Sequence, residues 1–577
     1  MDLNILKHLN KKQKESVVNY SGPTIILAGA GSGKTRVLVT KVIYLIKEKN
    51  INPSSIVMLT FTNKAAAEMK ERIGHQLGGI VKLGFVGTYH SFCVRILRQF
   101  WESAGLDKNF IIYDDSDQKT LIKQIISEKK LFGKKTPGYF SYYISLAKNQ
   151  IITPENFLEN FKFHQSALVA DVYFHYQKKM DTNHGVDFDD LLIKIVQLFQ
   201  KHKQVLGYFQ NKFQYFLVDE FQDTNFVQYL LTKLLAEKSK NITVVGDFSQ
   251  SIYSWRGADI TNLKKFEKDF NGSKTFYLEE NYRSTQKILD FAFNIISKNN
   301  THPILHLFTN NKPGEDVVFY QAGNEQEEAI YVAEEIVRLI SINNTIELPN
   351  FVILYRTNAQ SRVLEEVLLR YGMPYVLVGG TRFYERKEIK NILAYLKLLI
   401  NPNESVSLER IKKLGKTRFA KFKVVYDEIK DKLESFQTDE LMEKVFESVG
   451  YLKMFDSEDP DDFSRLENIK ELKSVAVSFP KLMDFLEQVA LVESEYSQHE
   501  KETKDNRRLV LMTLHQAKGL EFDHVFIVGV EEGLLPHSRS LEDQFQLEEE
   551  RRLFYVGITR AKKALYITNT RKRFIFG

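Results

Sequence analysis

Residues 24–36 read TIILAGAGSGKTR, an apolar run followed by a glycine-rich loop and the start of a helical pattern. The run TIILA has the length and composition of a buried strand, and apolar residues recur at helical spacing in TRVLVTKVIYLIKEK (35–49). A strand, a G-x-x-x-x-G-K-T loop and a helix, in this order, are the context in which such a loop binds phosphate. The stretch therefore predicts a nucleotide-binding site at the end of a buried strand.

Each residue type in this loop has a physical role. Glycines let backbone N–H groups turn inward around a phosphate, and the following helix presents its positive end. Lys34 is expected to reach the β- and γ-phosphates, and the Thr35 hydroxyl is expected to bind Mg²⁺. The predicted nucleotide-binding residues of the loop are Gly29, Ala30, Gly31, Ser32, Gly33, Lys34 and Thr35.

A second motif, FLVDEFQD (216–223), has an apolar strand that ends in two acidic residues. We expect Asp219 to hold the magnesium ion, directly or through water, and Glu220 to polarise the attacking water. An adjacent acidic pair at a strand end is often only solvated surface. The phosphate loop upstream favours the catalytic interpretation, so the two motifs together predict a nucleotide hydrolase.

Further short apolar runs, each ending in polar residues, occur in SSIVMLTFT (54–62) and NITVVGDFSQ (241–250). Strands separated by helices predict an α/β fold, with a parallel sheet covered by helices on both faces and its chemistry at the carboxyl ends of the strands. A second α/β pattern begins with KTFYLEE, within residues 275–381, and returns over 507–569. Mostly helical regions, at about 111–184 and 383–504, interrupt the two patterns.

Composition places few limits on function. The chain has 577 residues, enough for several domains, with 43% hydrophobic and 27% charged residues. Its formal charge of +6 permits a nucleic-acid partner without arguing strongly for one. The lone cysteine, Cys93, excludes a disulfide framework within the chain, which favours the cytoplasm. Neither a signal peptide nor an apolar run of membrane-spanning length is visible, so we expect no membrane partner.

Phosphoryl transfer also needs cations that stabilise the charge developing on the γ-phosphate. The candidates are Arg283 in EENYRST and Arg560 in YVGITRA. Both arginines fall in the second α/β pattern, outside the one that holds the phosphate loop. If both face one nucleotide, the site is a cleft between two domains, and hydrolysis opens and closes it.

Taken in order, these motifs resemble those of the UvrD/Rep/PcrA family of superfamily-one DNA helicases. The blocks that carry the resemblance are LNKKQKESV, GAGSGKTR, LTFTNKAAAEMKER, GTYHSFC, LVDEFQDTN, VVGDFSQSIYSWRGAD, LEENYRST, LYRTNAQSRVLEE, GGTRFYERKEIK, LMTLHQAKGLEFDHVFIVGVEEGLLPH and EEERRLFYVGITRA. The resemblance implies two RecA-like P-loop motor domains with mostly helical insertions. Their predicted bounds are 1–110 and 185–277 (domain 1A), 111–184 (1B), 278–382 and 505–577 (2A), and 383–504 (2B).

The resemblance also implies roles at the nucleotide site. Gln13 reads the adenine edge, Arg36 belongs to the phosphate-loop motif, and Tyr282 stacks on the adenine. Glu521 contacts the ribose or the bound nucleotide, and Gln250 senses the γ-phosphate and links it to the DNA side. A surface amide at a strand end is the alternative for Gln250. The implied cofactors are ATP and Mg²⁺.

For DNA, the resemblance implies a track for a single strand, together with recognition of junctions between single-stranded and duplex DNA. Its predicted residues are Phe61, Tyr89, His90, Tyr253, Trp255, Arg256, Asn358 and His515. Aromatic stacking suits a motor because it grips any base, although core packing is the alternative for each aromatic residue. Arg356 and Lys518 are further candidates for phosphate contacts. Movement in the 3′→5′ direction is implied by the family alone.

The sequence departs from the family pattern in predicted domain 2B, which is short and lacks the family's basic Arg-Gly-Ile-Gly block. IKKLGKTRFAKF (411–422) stands about where that block belongs. Its cations form either a duplex-binding patch or a solvated helix face: Lys412, Lys413, Lys416, Arg418, Lys421 and the neighbouring Lys423. Four functions stay open: an unwinding helicase acting in repair or replication, a single-strand translocase that strips proteins from DNA, a subunit of a nuclease complex, and a nucleotide-binding regulator without motor activity.

Overall fold

The computed structural model describes residues 5–79, 81–131, 135–490, 492 and 507–574. The chain forms two compact units. The first comprises Met1–Phe132, Phe140–Pro313 and Arg551–Tyr555, and the second comprises Gly133–Tyr139, Gly314–Glu550 and Val556–Gly577. Among the helices within the described ranges, none combines the length and the apolar composition needed to cross a lipid bilayer.

The first unit is built on a six-stranded sheet in which every neighbouring pair is parallel. The strands up to residue 313 are β1 (Thr24–Ala28), β2 (Ile56–Thr60), β3 (Phe85–Thr88), β4 (Ile111–Tyr113), β5 (Gly185–Asp187), β6 (Tyr215–Val218), β7 (Ile242–Gly246) and β8 (Lys274–Leu278). The sheet order is β3-β2-β6-β7-β1-β8, while β4 and β5 form a separate parallel pair. The predicted parallel sheet is confirmed, and the phosphate loop follows one of its inner strands.

Both faces of this sheet are covered by helices. Alternate residues of β1 enter different apolar clusters, with Ile25 and Leu27 in one and Ile26 and Ala28 in the other. The helices up to residue 313 are α1 (Lys11–Val18), α2 (Lys34–Lys47), α3 (Asn63–Leu77), α4 (Tyr89–Gln99), α5 (Asp115–Glu128), α6 (Pro137–Lys148), α7 (Phe157–Asn160), α8 (Ser166–Thr182), α9 (Phe188–Lys201), α10 (Lys203–Lys212), α11 (Phe226–Ala236), α12 (Asn262–Asp269) and α13 (Gln286–Ile296).

Strand β8 corrects one prediction. The sequence analysis assigned KTFYLEE to the second α/β pattern, but β8 pairs in parallel with β1 at the edge of the first sheet, with Ala28 opposite Leu278. The first unit accordingly continues to Pro313. The assignment of KTFYLEE to the second α/β pattern is therefore wrong, because the chain returns to the first sheet once more before it leaves.

The second unit contains another six-stranded parallel sheet, in the order β11-β12-β10-β13-β14-β9. Its strands are β9 (Val318–Ala322), β10 (Phe351–Tyr355), β11 (Tyr375–Leu377), β12 (Leu509–Thr513), β13 (Phe522–Ile527) and β14 (Ala561–Thr570). The helices after residue 313 are α14 (Glu325–Ile342), α15 (Ser361–Arg370), α16 (Lys387–Ile400), α17 (Ser405–Lys413), α18 (Lys416–Ile429), α19 (Thr438–Val449), α20 (Pro460–Ser478) and α21 (Gln544–Ile558). Residues 482–490 are also helical.

Two helical segments interrupt the sheets. Helices α5 to α8 lie in sequence between β4 and β5, and α16 to α20 lie between β11 and β12. Apolar residues of α16, α19 and α20, including Tyr395, Leu441 and Leu472, share one core with Ile353 and Leu511 of the second sheet. The bounds of four separate domains stay predictions, whereas the alternation of sheet and helical segments is observed.

Candidate functional site

The phosphate loop occupies the turn between β1 and α2. Gly31 and Gly33 both have positive φ, +66° and +84°, a backbone region that disfavours other residues. Gly33 is the N-cap of α2 and offers no side chain to the first helical N–H groups. These groups therefore remain available to an anion, and the positive end of a 14-residue helix points to the same place.

A segment of the first unit that follows β8 closes over this loop. The Asn281 side-chain amide donates to the carbonyl oxygen of Ala30 at 2.7 Å, and the Tyr282 N–H donates to that of Gly31 at 3.0 Å. A Cβ atom at Gly31 would lie 2.8 Å from the Cβ of Arg283. Arg283 is thus brought beside the phosphate loop by its own unit, and its predicted placement in the second unit is wrong.

The predicted adenine-binding residues also lie beside this loop. Gln13 is fully buried, and its amide donates to the Ser32 carbonyl at 2.9 Å. The Tyr282 ring is 41% exposed, and the guanidinium carbon of Arg36 lies 5.7 Å from its centroid. Asn10 donates to the Tyr282 hydroxyl at 2.8 Å, which connects the start of α1 to this ring. An exposed aromatic face next to a phosphate site suits stacking of a nucleobase.

The acidic pair follows β6 at the same edge of the sheet. Burial and the neighbouring Glu220 charge raise the pKa of Asp219 to about 7, and Lys34 partly offsets this increase. Glu220 has a positive φ of +49°. This conformation is strained for any residue other than glycine, and such strain is typical of functional sites. Lys34 also opposes the rise in the pKa of Asp247 that burial causes. The charges of the two sequence motifs therefore act on one another in one site.

Two buried polar atoms at this site indicate that a ligand belongs there. Within the described ranges, neither Ser32 Oγ nor Asp219 Oδ1 has a hydrogen-bond partner, and such atoms normally have one. The described residues contain no group of three or more His, Cys, Asp or Glu side chains able to hold a metal. A divalent ion here would have one carboxylate, a hydroxyl and the phosphates of a nucleotide, which is how proteins usually hold Mg²⁺. The residues present fit a magnesium–nucleotide complex.

A chain of hydrogen bonds leads away from Glu220. Gln222 donates to Glu220 Oε2 at 2.5 Å and accepts from the Asp247 N–H at 3.0 Å. Asp247 Oδ2 in turn accepts from the Gln250 amide at 2.6 Å. Gln222 is fully buried, and the sequence analysis missed it although it lies within FLVDEFQD. Gln250 is buried too, so the alternative of a surface amide is wrong.

The chain of hydrogen bonds ends next to a group of aromatic residues. Phe61 and Tyr253 stack with centroids 5.3 Å apart and planes 12° from parallel. Trp255 is 47% exposed, meets Tyr253 edge-on at 6.4 Å, and carries the Arg256 guanidinium 4.6 Å from its ring centroid. Phe61, Tyr253, Trp255 and Arg256 are called the aromatic platform below. An exposed tryptophan supported by a stacked pair is not core packing, so this surface is available for binding.

Two further residues revise the predicted track. Tyr89 is buried in the core of the first unit, and its hydroxyl shares a hydrogen bond with Thr232 at 2.8 Å. We therefore withdraw Tyr89 as a DNA contact. Its neighbour His90 meets Phe188 edge-on at 5.4 Å, and Phe188 is 44% exposed at the start of α9. Phe188 is a candidate contact that the sequence analysis missed, although an aromatic residue amid the acidic residues of VDFDD was a visible signal.

The second unit carries the remaining predicted residues. Arg560 is buried, and its guanidinium donates to the carbonyls of Val556 and Leu520. Arg356 is held by a bidentate ion pair with Glu550, which weakens its candidacy as a phosphate contact. The other residues here are partly or largely exposed: Asn358, His515, Lys518 and Glu521, the last in an ion pair with Lys562. That they meet a nucleotide or DNA stays a prediction.

Models of known families match most of the chain. The UvrD/REP helicase N-terminal domain matches residues 9–271, and the UvrD-like helicase C-terminal domain matches 276–424 and 412–572. The chain belongs to the UvrD/Rep helicase family. The first match contains the phosphate loop, the acidic pair and the aromatic platform, and the second contains Arg283 and Arg560.

Relatives in this family align over almost the whole chain. The ATP-dependent DNA helicase PcrA of Bacillus subtilis is 43% identical over 622 aligned residues, which cover 99% of this chain and 84% of that protein. The proteins of the same name from Staphylococcus aureus and Staphylococcus epidermidis are each 41% identical over 625 residues. These alignments cover 99% of this chain and 84% and 85% of the relatives. The similarity to UvrD/Rep helicases is therefore not limited to the motifs.

A buried lysine fixes the helix that carries Gln13. Lys41, on α2, donates to the carbonyls of Ser16 and Asn19 at 3.1 and 2.9 Å, at the end of α1. Burial lowers the pKa of Lys41 to about 7, far below that of an unfolded lysine. Between pH 7 and about 10 the unfolded chain thus binds more protons at this residue than the folded chain, and stability rises with pH.

We expect the wild type to gain thermal stability relative to Lys41→Met as the pH rises from 7 to 9. The gain has an upper limit of about 1.4 kcal/mol per pH unit for one group. The measurement is the midpoint of thermal unfolding of both proteins at each pH. Lys47→Met, at an exposed position on the same helix, is the control and should show a constant difference. A constant difference for Lys41→Met as well would contradict the account of this residue.

Proposed function

We propose that this protein is an ATP-dependent DNA helicase that moves along single-stranded DNA in the 3′→5′ direction. The observation that carries the proposal is the hydrogen-bonded chain from Glu220 through Gln222 and Asp247 to Gln250. It joins the candidate catalytic carboxylate to a segment that reaches Tyr253 and Trp255 within five residues. A change at the γ-phosphate can therefore alter the surface that holds bases.

ATP is the substrate in this proposal. The backbone of the phosphate loop and Lys34 bind its phosphates, while Gln13, Arg36 and Tyr282 surround the base. Thr35 and Asp219 hold Mg²⁺, which neutralises phosphate charge when it is bound. Glu220 accepts the proton of the attacking water, and Gln222 fixes the orientation of this carboxylate by its bond of 2.5 Å.

Arginines stabilise the charge that develops during hydrolysis. Arg283 acts from the first unit, because its Cβ lies against the phosphate loop. Arg560 acts from the second unit, and Glu521 contacts the nucleotide from the same side. Because the proposed cations come from both units, we propose that the two units close around ATP and open after its hydrolysis.

Single-stranded DNA is gripped by stacking and by phosphate contacts. Bases stack on the aromatic platform, while His90 and Phe188 form a second contact and Asn358 and His515 bind from the second unit. Stacking is independent of base identity, as a motor that moves along any sequence requires. The proposed substrates are single strands and junctions with duplex DNA, in repair or replication in the cytoplasm.

We propose that duplex DNA is engaged by α17 and α18 around the turn that joins them. Lys412 and Lys413 at the end of α17, and Lys416, Lys421 and Lys423 on α18, are exposed on either side of Gly415, which has φ +124°. Lys412 and Lys423 both lie over the ring of Phe419, at 5.6 and 4.9 Å. In this proposal these charges contact the phosphates of the duplex, although Lys413 is also paired with Glu409 at 2.8 Å.

The test is strand displacement on a duplex with a 3′ tail, with a 5′-tailed duplex as the control. ATP-dependent displacement from the 3′ tail supports the proposal. ATP hydrolysis stimulated by single-stranded DNA without displacement supports the translocase instead. Stimulation by RNA but not by DNA of the same length contradicts both assignments.

We expect Trp255→Ala to weaken the coupling of ATP hydrolysis to DNA. Loss of one base–aromatic stack, at ~1–3 kcal/mol, raises the KM for single-stranded DNA by about 5- to 150-fold. The basal rate of ATP hydrolysis without DNA should stay close to that of the wild type. The measurement is ATPase rate against oligo(dT) concentration. An unchanged KM would mean that this exposed ring does not bind DNA.

A further inference from the structure

The loop that presents Trp255 is supported from beneath by the helical segment between β4 and β5. Tyr253 accepts backbone hydrogen bonds from Arg256 and Ala258, at 2.9 and 3.1 Å, which close a tight turn. Gly257 completes this turn with φ +83°, and a Cβ atom there would lie 3.3 Å from Cγ of Asn149. Asn149, which directly follows the last residue of α6, therefore packs against this turn at Gly257.

The Asn149 side chain is also hydrogen-bonded to Asn225, a residue that contacts the same turn. Asn225 Nδ2 donates to Asn149 Oδ1 at 2.5 Å, and Asn225 forms an isolated antiparallel bridge with Ala258. The Asn149 amide in turn donates to the Ser145 carbonyl at 2.9 Å and to Asp189 at 3.3 Å. Asn149 is only 8% exposed. Water therefore competes little for the hydrogen bonds of its side chain.

A buried ion pair fixes the end of α6 that presents Asn149. Lys148 lies 2.7 Å from Asp187 and from Asp190, and all three side chains are at most 6% exposed. Tyr176 also donates to Asp187, at 2.8 Å. Asp187 is the N-cap of α9 and forms a capping box with Asp190. This network anchors the end of α6 to the helix that begins with Phe188.

We infer that Asn149 is a positioning residue for Trp255: it holds the turn 253–258 so that the tryptophan stays exposed beside Tyr253. The inference rests on the proposed function, in which Trp255 stacks on DNA bases. In this inference Asn149 acts through the turn and not by contact with the bases. The helical segment between β4 and β5 thereby contributes to DNA binding through the shape of the aromatic platform.

The inference is tested first without DNA. The chain has two tryptophans, so a Trp101→Phe background reports on Trp255 alone. In this background we expect Asn149→Ala to lower the fluorescence anisotropy of Trp255 and to increase its quenching by acrylamide. Asn160→Ala is the matched control, because Asn160 is exposed on α7 and bonds only to the nearby Asn156 carbonyl among the described contacts. It should leave both signals unchanged.

A second variant removes the same bond from the other partner. Asn225→Ser keeps an oxygen that can cap α11, a role in which Asn225 now accepts from the Gln228 N–H at 2.8 Å. It loses the amide Nδ2 that donates to Asn149 and has only a shorter hydroxyl in its place, so it should reproduce the anisotropy and quenching changes. Because both variants break the same Asn225–Asn149 bond, the double variant should change the signals by less than the sum of the two single variants. Asn225→Ser keeps the test available if Asn149→Ala folds poorly.

The functional readout separates positioning from general stability. We expect each variant to raise the KM for oligo(dT) in the ATPase assay by about 3- to 10-fold, the range set by loss of one hydrogen bond. The maximal rate and the basal rate should stay unchanged. Unaltered Trp255 anisotropy and quenching in both variants would overturn the inference. If Trp255 is loosened while Trp255→Ala leaves the KM unchanged, positioning stands and the proposed DNA contact fails.

Discussion

Glu220→Gln is expected to slow DNA-stimulated ATP hydrolysis by about 10²- to 10⁴-fold, the usual contribution of a general base. Glutamine keeps the size of the side chain and an oxygen that can accept from Gln222, but it cannot take the proton of the attacking water. The phosphate loop is untouched, and the repulsion that raises the pKa of Asp219 falls. ATP binding should therefore be retained.

The measurement is steady-state ATP turnover with saturating oligo(dT), together with binding of a fluorescent ATP analogue. Glu237→Gln is the matched control, because Glu237 is exposed in the first unit at the end of α11. This control should turn over ATP at the wild-type rate. A Glu220→Gln protein that matches it would remove Glu220 from the reaction.

Lys34→Ala is expected to reduce turnover by at least about 10²- to 10³-fold, the usual cost of removing one preorganised charge from a transition state. Unlike Glu220→Gln, it should also weaken nucleotide binding. Lys34 is the cation that opposes the rise in the pKa of both Asp219 and Asp247 that burial causes. Its loss leaves these buried carboxylates with less compensation and removes the charge that faces the phosphates.

The control for this change lies on the same helix. Lys47 ends α2 at an exposed position, so Lys47→Ala keeps the phosphate loop and changes the net charge equally. We expect its ATP turnover and nucleotide affinity to match the wild type. DNA-stimulated hydrolysis that survives in Lys34→Ala would contradict the role given to the loop.

The sequence predicted which residues of the candidate nucleotide site lie close together, because the parts of this site are local. A strand, a glycine loop and a helix follow one another, so Lys34 and Thr35 are placed by three short elements. The carboxyl ends of parallel strands meet at one edge, which brings Asp219, Glu220 and Gln250 together. Strand β8 was misassigned because its sheet is decided by pairing with β1, some 250 residues earlier, and nothing in KTFYLEE reveals its partner.

The aromatic residues show a second limit. Tyr89 lies on the face of α4 that also carries Phe92, Cys93 and Ile96, all buried. Helical spacing alone indicates that Tyr89 is buried. The prediction that it contacts DNA was based instead on its position within a helicase motif. Asn149 could not have been found from sequence, because its partner Asn225 lies 76 residues away.

The central claim is that ATP hydrolysis moves the protein along a single strand. Displacement of streptavidin from biotinylated oligo(dT) tests it most directly, with biotin at either end. The account predicts ATP-dependent displacement from the 5′ end, little from the 3′ end, and none by Glu220→Gln. DNA-stimulated ATP hydrolysis with no displacement from either end would contradict it.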